Sequence, residues 1–564
     1  MTRTWWQDAV FYQIYPRSFA DANGDGIGDM NGMRQKLDYL AWLGVDAIWL
    51  SPHFPSPQFD CGYDISDYCD VAPEYGTLDD FKQFLAEAHA RHIRVILDFV
   101  LNHTSHLHEW FIESRSSKDN PKRDWFVWRD GVDGNPPNNW QSVFGGSAWE
   151  YDPQTGQYYY HFFLKEQPDL NWHNPEVVEA MFNVARFWLD MGVDGFRLDA
   201  VGTIFEQDDL SPHISKHRSV DFLRNEVEVK LGTAPKLFTG DDWEDLFGTQ
   251  VNLPEVHTLM KQLRAVVDEY TDRVLIGETG DMIYLGDGTD ELHMVFNFNL
   301  MTRDAPFTAE WIYANLADQY AQLPPGGWMA NTLNNHDSTR AISRFDDGTA
   351  PIPRAKCSAT LILTLEPTPF LYNGEEIGMS NYDIPHRDQM RDTLALVMGD
   401  LLIADGHTLE EIYPAMQKMS RDRCRTPMAW SNAPNGGFSP DGVTTWLPVH
   451  PEYADGVNVA DEQADPHSLL HFYKALIALR KNTPALLRGN YAPLDVKNDA
   501  VFAFTRQLDA QTCVVILNFS GDSQAIILDK LPIQVIFSTH VPIGETLKGA
   551  YTLAPFSVVI AMRK

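Results

Sequence analysis

A chain of 564 residues is too long for one compact core and predicts one large domain with smaller attachments. Its net charge of -34, with Asp and Glu spread along the chain, excludes nucleic acid and anionic membrane surfaces as partners and suits a neutral or cationic ligand. Five cysteines, an odd number, give no disulfide framework, and no apolar run is long enough to span a bilayer, so the expectation is a cytoplasmic monomer or homodimer.

Val10-Phe11-Tyr12-Gln13-Ile14-Tyr15 predicts a first buried strand that turns at Pro16. The stretch Asp21-Ala22-Asn23-Gly24-Asp25-Gly26-Ile27-Gly28-Asp29 spaces oxygen donors as an EF-hand loop does. It predicts one structural Ca²⁺ or Mg²⁺ held by Asp21, Asn23, Asp25, the Ile27 carbonyl and Asp29. The twelfth position is Gly32 rather than Glu, and no helix pair frames the loop, so a Gly/Asp turn without an ion is the other reading. A helix over 33–43 closes at Gly44, and Ala47 to Leu50 reads as a strand. Thr77-Leu78-Asp79-Asp80 opens a helix that runs to about His92, and Arg94 to Val100 makes a third buried strand. This alternation predicts parallel strands covered by helices.

The rhythm breaks over 104–173, a stretch rich in Trp, Tyr, Asn, Pro and Gly, which predicts a functional excursion domain. It resumes at Asn174-Pro175, a cap followed by proline at the first helical position, with the helix running to Gly192. Further strands read at 195–199, 274–278, 294–298, 328–333 and 368–372, with helical patterns near 254–272, 308–322 and 354–365. Eight strand–helix units predict an α/β fold of the (β/α)₈ barrel type, built from 1–103 and 174–484. A helical insertion falls near 380–420, a helix near 467–481 closes the barrel, and 485–564 reads as an all-β module.

Reactive residues of such barrels lie just past the C-terminal ends of strands. Those positions here supply Asp60 and Tyr63, then Asp98, Asn102 and His103, then Arg197 and Asp199, Glu278, and His336 with Asp337. In Gly195-Phe196-Arg197-Leu198-Asp199, strand alternation puts Arg197 and Asp199 on one face, where the guanidinium is expected to keep the carboxylate ionised as a nucleophile. The histidines lack the spaced partners of a zinc site.

Asp98-Phe-Val-Leu-Asn102-His103, Gly195 to Asp199, Gly277-Glu278 and Asn335-His336-Asp337 resemble the four ordered signature segments of the α-amylase family of glycoside hydrolases. Gln167-Pro168-Asp169-Leu170-Asn171 and Arg421-Asp422-Arg423-Cys424-Arg425-Thr426-Pro427-Met428 resemble two segments of its oligo-1,6-glucosidase and α-glucosidase subfamily. The resemblance spans residues 5 to about 480 and implies the barrel, the excursion after the third strand and a terminal β-sandwich. It implies that Asp199 attacks the anomeric carbon, that Glu278 is the acid and then the base, and that Asp337 and His336 hold ring hydroxyls. His103 and Tyr63 would line the same subsite, with Asp98 and Asn102 bracing it. Asp60 would pair with Arg421, or with Arg425, to grip the far hydroxyls of a terminal glucose. Phe163 would cover the pocket or sit in a core. In this subfamily Val after the nucleophile goes with α-1,6 preference and small residues with α-1,4, so Ala200 implies maltose-type substrates. No organic cofactor is implied. An oligo-1,6-glucosidase, a sucrose- or trehalose-type glucosyl transferase or isomerase, and a non-catalytic relative are the alternatives.

Overall fold

Eight short strands, nearly all of them buried on both sides, pair in parallel and close on themselves in the computed structural model, which describes residues 4–302 and 306–563. These are β1 (Phe11–Ile14), β2 (Ala47–Leu50), β3 (Arg94–Val100), β7 (Gly195–Asp199), β8 (Val274–Gly277), β9 (Met294–Phe296), β10 (Met329–Asn331) and β11 (Thr368–Tyr372). Covered on both faces, such strands read as continuous apolar runs, which is why they were legible. Phe11, Trp49, Ile96, Ile276, Phe296 and Phe370 fill the barrel, while Phe196 and Leu198 face the helices outside. The expected (β/α)₈ barrel is the fold of this chain.

Several elements differ in extent from the pattern. β8, β9 and β10 stop short of the predicted ends because the chain leaves the ladder there to form site loops. The helix expected over 33–43 is two helices, Met30–Gln35 and Leu37–Leu43, broken where Lys36 leaves helical geometry (φ -100°, ψ 0°). The cap at Thr77 forms as a reciprocal pair, Asp80 N–H to Thr77 Oγ1 at 3.2 Å and Thr77 N–H to Asp80 Oδ2 at 2.9 Å. Asn174 likewise caps the helix Pro175–Met191, which ends on Gly192 at φ 107°.

Between β3 and that helix, β4 (Trp128–Arg129), β5 (Trp149–Asp152) and β6 (Gln157–Tyr160) form a small antiparallel sheet in the order β4-β6-β5. Two helices not predicted, Ser219–Leu231 and Gly240–Phe247, follow β7. The connection before them is tied to the excursion by Trp140 Nε1–H donating to the Ser211 carbonyl at 2.8 Å and by His213 N–H donating to Asn139 Oδ1 at 3.0 Å. The insertion supplies the helices Thr393–Ala404 and Leu409–Met419. The C-terminal strands β12 (Asn490–Pro493), β13 (Val501–Leu508), β14 (Gln511–Asn518), β15 (Gln524–Ser538), β16 (Thr546–Leu553) and β17 (Val558–Arg563) form one antiparallel sheet. Register shifts in β15 bend it over its own apolar cluster, and Phe502, Phe504 and Val515 join its other face to the main core. Among the described residues, no helix is long and apolar enough to cross a membrane.

Candidate active site

Arg197, 1% exposed, is the hub of the strand ends. Its Nη1 donates to Asp98 Oδ1 (2.8 Å) and Asp199 Oδ1 (2.7 Å), and its Nη2 lies 2.8 Å from Glu278 Oε2. The ladder explains the convergence: Asp98 pairs in register with Arg197 and Val100 with Asp199, while Leu198 pairs with Gly277. Glu278 then follows directly, its N–H donating to the Leu198 carbonyl at 2.8 Å. Asp199 and Glu278 therefore stand on adjoining strand ends, each held by Arg197.

One expectation needs correction. Arg197 does not serve Asp199 alone; burial and the neighbouring Glu278 carboxyl push Asp199 well above the ordinary carboxylate range despite the guanidinium. Burial likewise raises Asp98 against the same pull. One guanidinium is thus shared by three carboxyl groups, those of Asp98, Asp199 and Glu278.

Opposite them, His336 Nε2 lies 2.5 Å from the Tyr63 hydroxyl and 3.0 Å from Asp337 Oδ2, and its Nδ1 lies 2.7 Å from Gln13 Nε2. The Tyr63 ring stacks on His336 (centroids 5.5 Å apart), and its hydroxyl also donates to Asp98 Oδ2 at 3.1 Å. Burial alone would raise Asp337, but His336, Arg425 and Arg421 together hold it well below the ordinary range. It is a standing anion at neutral pH.

The structure decides between the two arginines left open by the sequence. Arg421 Nη2 lies 3.0 Å from Asp60 Oδ1, whereas Arg425 Nη2 lies 2.5 Å from Asp337 Oδ1 and its Nε donates to the His336 carbonyl. Arg421 also reaches Asp337 (3.4 Å) and the buried Asp392 (2.7 Å), a residue that no sequence signal singled out. Gln167 Nε2 bridges Asp60 Oδ2 (3.2 Å) and His103 Nε2 (2.9 Å), and burial lowers His103 to about 4, so it is neutral. Asn102 Nδ2 sits 3.3 Å from His103 Nδ1. Phe163, half-buried, meets the His103 ring edge-on at 5.1 Å and so stands at the pocket wall. Ala200 adopts a left-handed backbone (φ 43°, ψ 48°), and its N–H donates to Glu278 Oε2 at 3.0 Å.

The loop 21–29 lies apart from this pocket. Asp21 accepts the amides of Gly24 (2.6 Å) and Gly26 (2.9 Å), Asp25 accepts Ile27 N–H (2.9 Å), and Asp29 accepts Ala22, Asn23 and Gly32 N–H groups. Among the described residues, no group of three or more His, Cys, Asp or Glu side chains converges as a metal site. The donors are nonetheless all oxygen, which suits Ca²⁺ or Mg²⁺ and no softer ion.

A closed parallel barrel whose rim joins two carboxyl groups on neighbouring strands to a polar pocket of Asp, His and Arg defines an enzyme of the glycoside hydrolase class. Residues 13–489 match the model of the alpha amylase catalytic domain. Oligo-1,6-glucosidase of Parageobacillus thermoglucosidasius is 41% identical, over 96% of this chain and 94% of its own. A probable alpha-glucosidase of Rhizobium meliloti is also 41% identical, over 92% and 90% of the two chains. Among solved structures, the trehalulose synthase of Pseudomonas mesoacidophila superposes with a TM-score of 0.88 at 38% identity, over the whole of both chains. The chain belongs to the α-amylase family of glycoside hydrolases.

Proposed function

We propose that the protein is an exo-acting, retaining α-glucosidase that releases α-glucose from the non-reducing end of short α-glucosides, with α-1,4 links preferred. The observation that carries the reading is the shared guanidinium: Asp199 and Glu278 are held on the two amino nitrogens of Arg197, at 2.7 and 2.8 Å. With glucose bound between them, Asp199 would be charged beside Arg197 and Glu278 would carry the proton destined for the leaving oxygen. Asp199 attacks the anomeric carbon as Glu278 protonates the leaving oxygen; water activated by Glu278 then cleaves the glucosyl ester, restoring the α configuration. Asp337, anionic and backed by two arginines, would hold ring hydroxyls through the oxocarbenium-like state with His336. Tyr63 and His103 would line this subsite, and the Asp60–Arg421 pair would close its far end.

The assay is hydrolysis of maltose, maltotriose, isomaltose and sucrose, with product anomers followed in time by NMR. Maltose is cleaved faster than isomaltose, and fresh glucose appears as the α anomer; β-glucose refutes the mechanism. A second reading, glucosyl transfer or sucrose isomerisation on the same residues, is favoured by the whole-chain likeness to a trehalulose synthase. Adding an alcohol acceptor separates the two, since a strict hydrolase yields no alkyl glucoside.

We also propose that Asp21, Asn23, Asp25, the Ile27 carbonyl and Asp29 hold one Ca²⁺ or Mg²⁺, which would stiffen the loop and take no part in bond cleavage. No organic cofactor enters the reaction. The enzyme would work as a cytoplasmic monomer or homodimer.

A further inference from the structure

The far end of the sugar pocket depends on one gap, the 3.0 Å between Arg421 Nη2 and Asp60 Oδ1. Both sides of that gap are anchored by two consecutive residues at the start of the helix Thr393–Ala404. Asp392 is fully buried, and its Oδ1 accepts Arg421 Nε (3.0 Å) and Nη2 (2.7 Å) while Oδ2 accepts the Arg421 backbone N–H (2.7 Å). The grip is reciprocal, since Asp422 Oδ2 accepts the backbone N–H groups of Arg391 (2.7 Å) and Asp392 (3.0 Å). On the other side the Thr393 hydroxyl donates to the carbonyl of Phe59, the residue next to Asp60.

Resting on the exo-glucosidase reading above, we infer that Asp392 and Thr393 are positioning residues for recognition of the terminal sugar: they set the spacing of the Asp60–Arg421 pair and take no part in bond cleavage. A buried carboxylate on two guanidinium nitrogens and the backbone of the same residue leaves Arg421 one orientation. Without that carboxylate the guanidinium has Asp60 and Asp337 as its remaining anions, at 3.0 and 3.4 Å, and turns toward the groups that the sugar needs free. Asp392 also accepts Leu394 N–H (3.3 Å) as the helix cap, so a purely structural role predicts lost stability alone.

The test compares Asp392→Asn, Thr393→Val, Arg421→Lys and the double variant Asp392→Asn/Arg421→Lys. The substrates are p-nitrophenyl α-glucoside and its 4-deoxy analogue. Asp392→Asn keeps a capping oxygen; its KM for the glucoside rises about tenfold or more while kcat changes far less, because binding common to ground and transition state is lost. The preference for the glucoside over the 4-deoxy analogue shrinks in step. Thr393→Val moves both quantities the same way by less. The double variant is no worse than Arg421→Lys alone, the mark of residues acting through one another. A lowered melting temperature with unchanged KM and preference, or additive losses in the double variant, overturns the inference. An unmodified enzyme that fails to turn over the glucoside refutes the glucosidase reading itself.

Discussion

Replacing Arg197 with lysine tests the proposed chemistry at its centre. The guanidinium makes three charge-assisted contacts, to Asp98 at 2.8 Å, Asp199 at 2.7 Å and Glu278 at 2.8 Å. An ammonium on a shorter stem keeps one of them. At roughly 1.5–3 kcal/mol for a hydrogen bond to a charged group, losing two costs about 3–6 kcal/mol. If that loss falls on the transition state, kcat/KM drops by about 10² to 10⁴. The pH profile carries the sharper signature. Asp199 already lies above the ordinary carboxylate range through burial and Glu278, and Arg197 is what opposes that rise. Weakening Arg197 pushes Asp199 further up; since attack requires the carboxylate, the acid limb of kcat/KM shifts to higher pH. The assay is p-nitrophenyl α-glucoside hydrolysis from acid to alkaline pH, with circular dichroism to confirm the fold. An acid limb that stays in place or moves to lower pH, or a loss of less than about tenfold, refutes the argument.

Asp199→Ala and Glu278→Gln should each lower kcat by several orders of magnitude with the fold intact, and near-normal turnover in either reassigns that residue. Ala200→Val should lower the maltose/isomaltose rate ratio by narrowing the aglycone side; because Ala200 sits at φ 43°, the β-branched side chain should also cost roughly 1–2 kcal/mol of stability, read as a lower melting temperature. An unchanged or increased ratio counts against the α-1,4 reading. Chelation by EDTA should lower the melting temperature of the unmodified protein but not of Asp21→Ala; identical responses remove the cation from the loop. Burial raises Glu206 to about 7, partly offset by Arg129. The folded state therefore retains a proton that the unfolded chain releases near 4.5, and stability falls as pH rises between these values, by about 3 kcal/mol. Glu206→Gln should flatten the melting temperature between pH 5 and 8, and an unchanged slope contradicts the assignment.

The barrel was readable because parallel strands buried on both sides leave unbroken apolar runs such as Ala47–Leu50 and Arg94–Val100. The Arg197–Asp199 contact was readable because strand alternation is local. What depends on distant segments was not. Whether Arg421 or Arg425 meets Asp60 is decided by the path of the insertion. Asp392, 29 residues before Arg421, carries no pattern of its own. The electrostatic state of Asp199 depends on Glu278, 79 positions away, sharing the same cation. The helices Ser219–Leu231 and Gly240–Phe247 lie in the long connection after β7, outside the strand–helix alternation that the sequence pattern follows.

Leu198 and Gly277 are rung partners, so the backbones that carry Asp199 and Glu278 are set side by side by hydrogen bonding within the barrel ladder. The proposed grip on the sugar would come instead from loops and the insertion, the parts of a protein that loosen first. Mild heating or low denaturant should therefore weaken substrate affinity well before it slows the turnover of whatever remains bound.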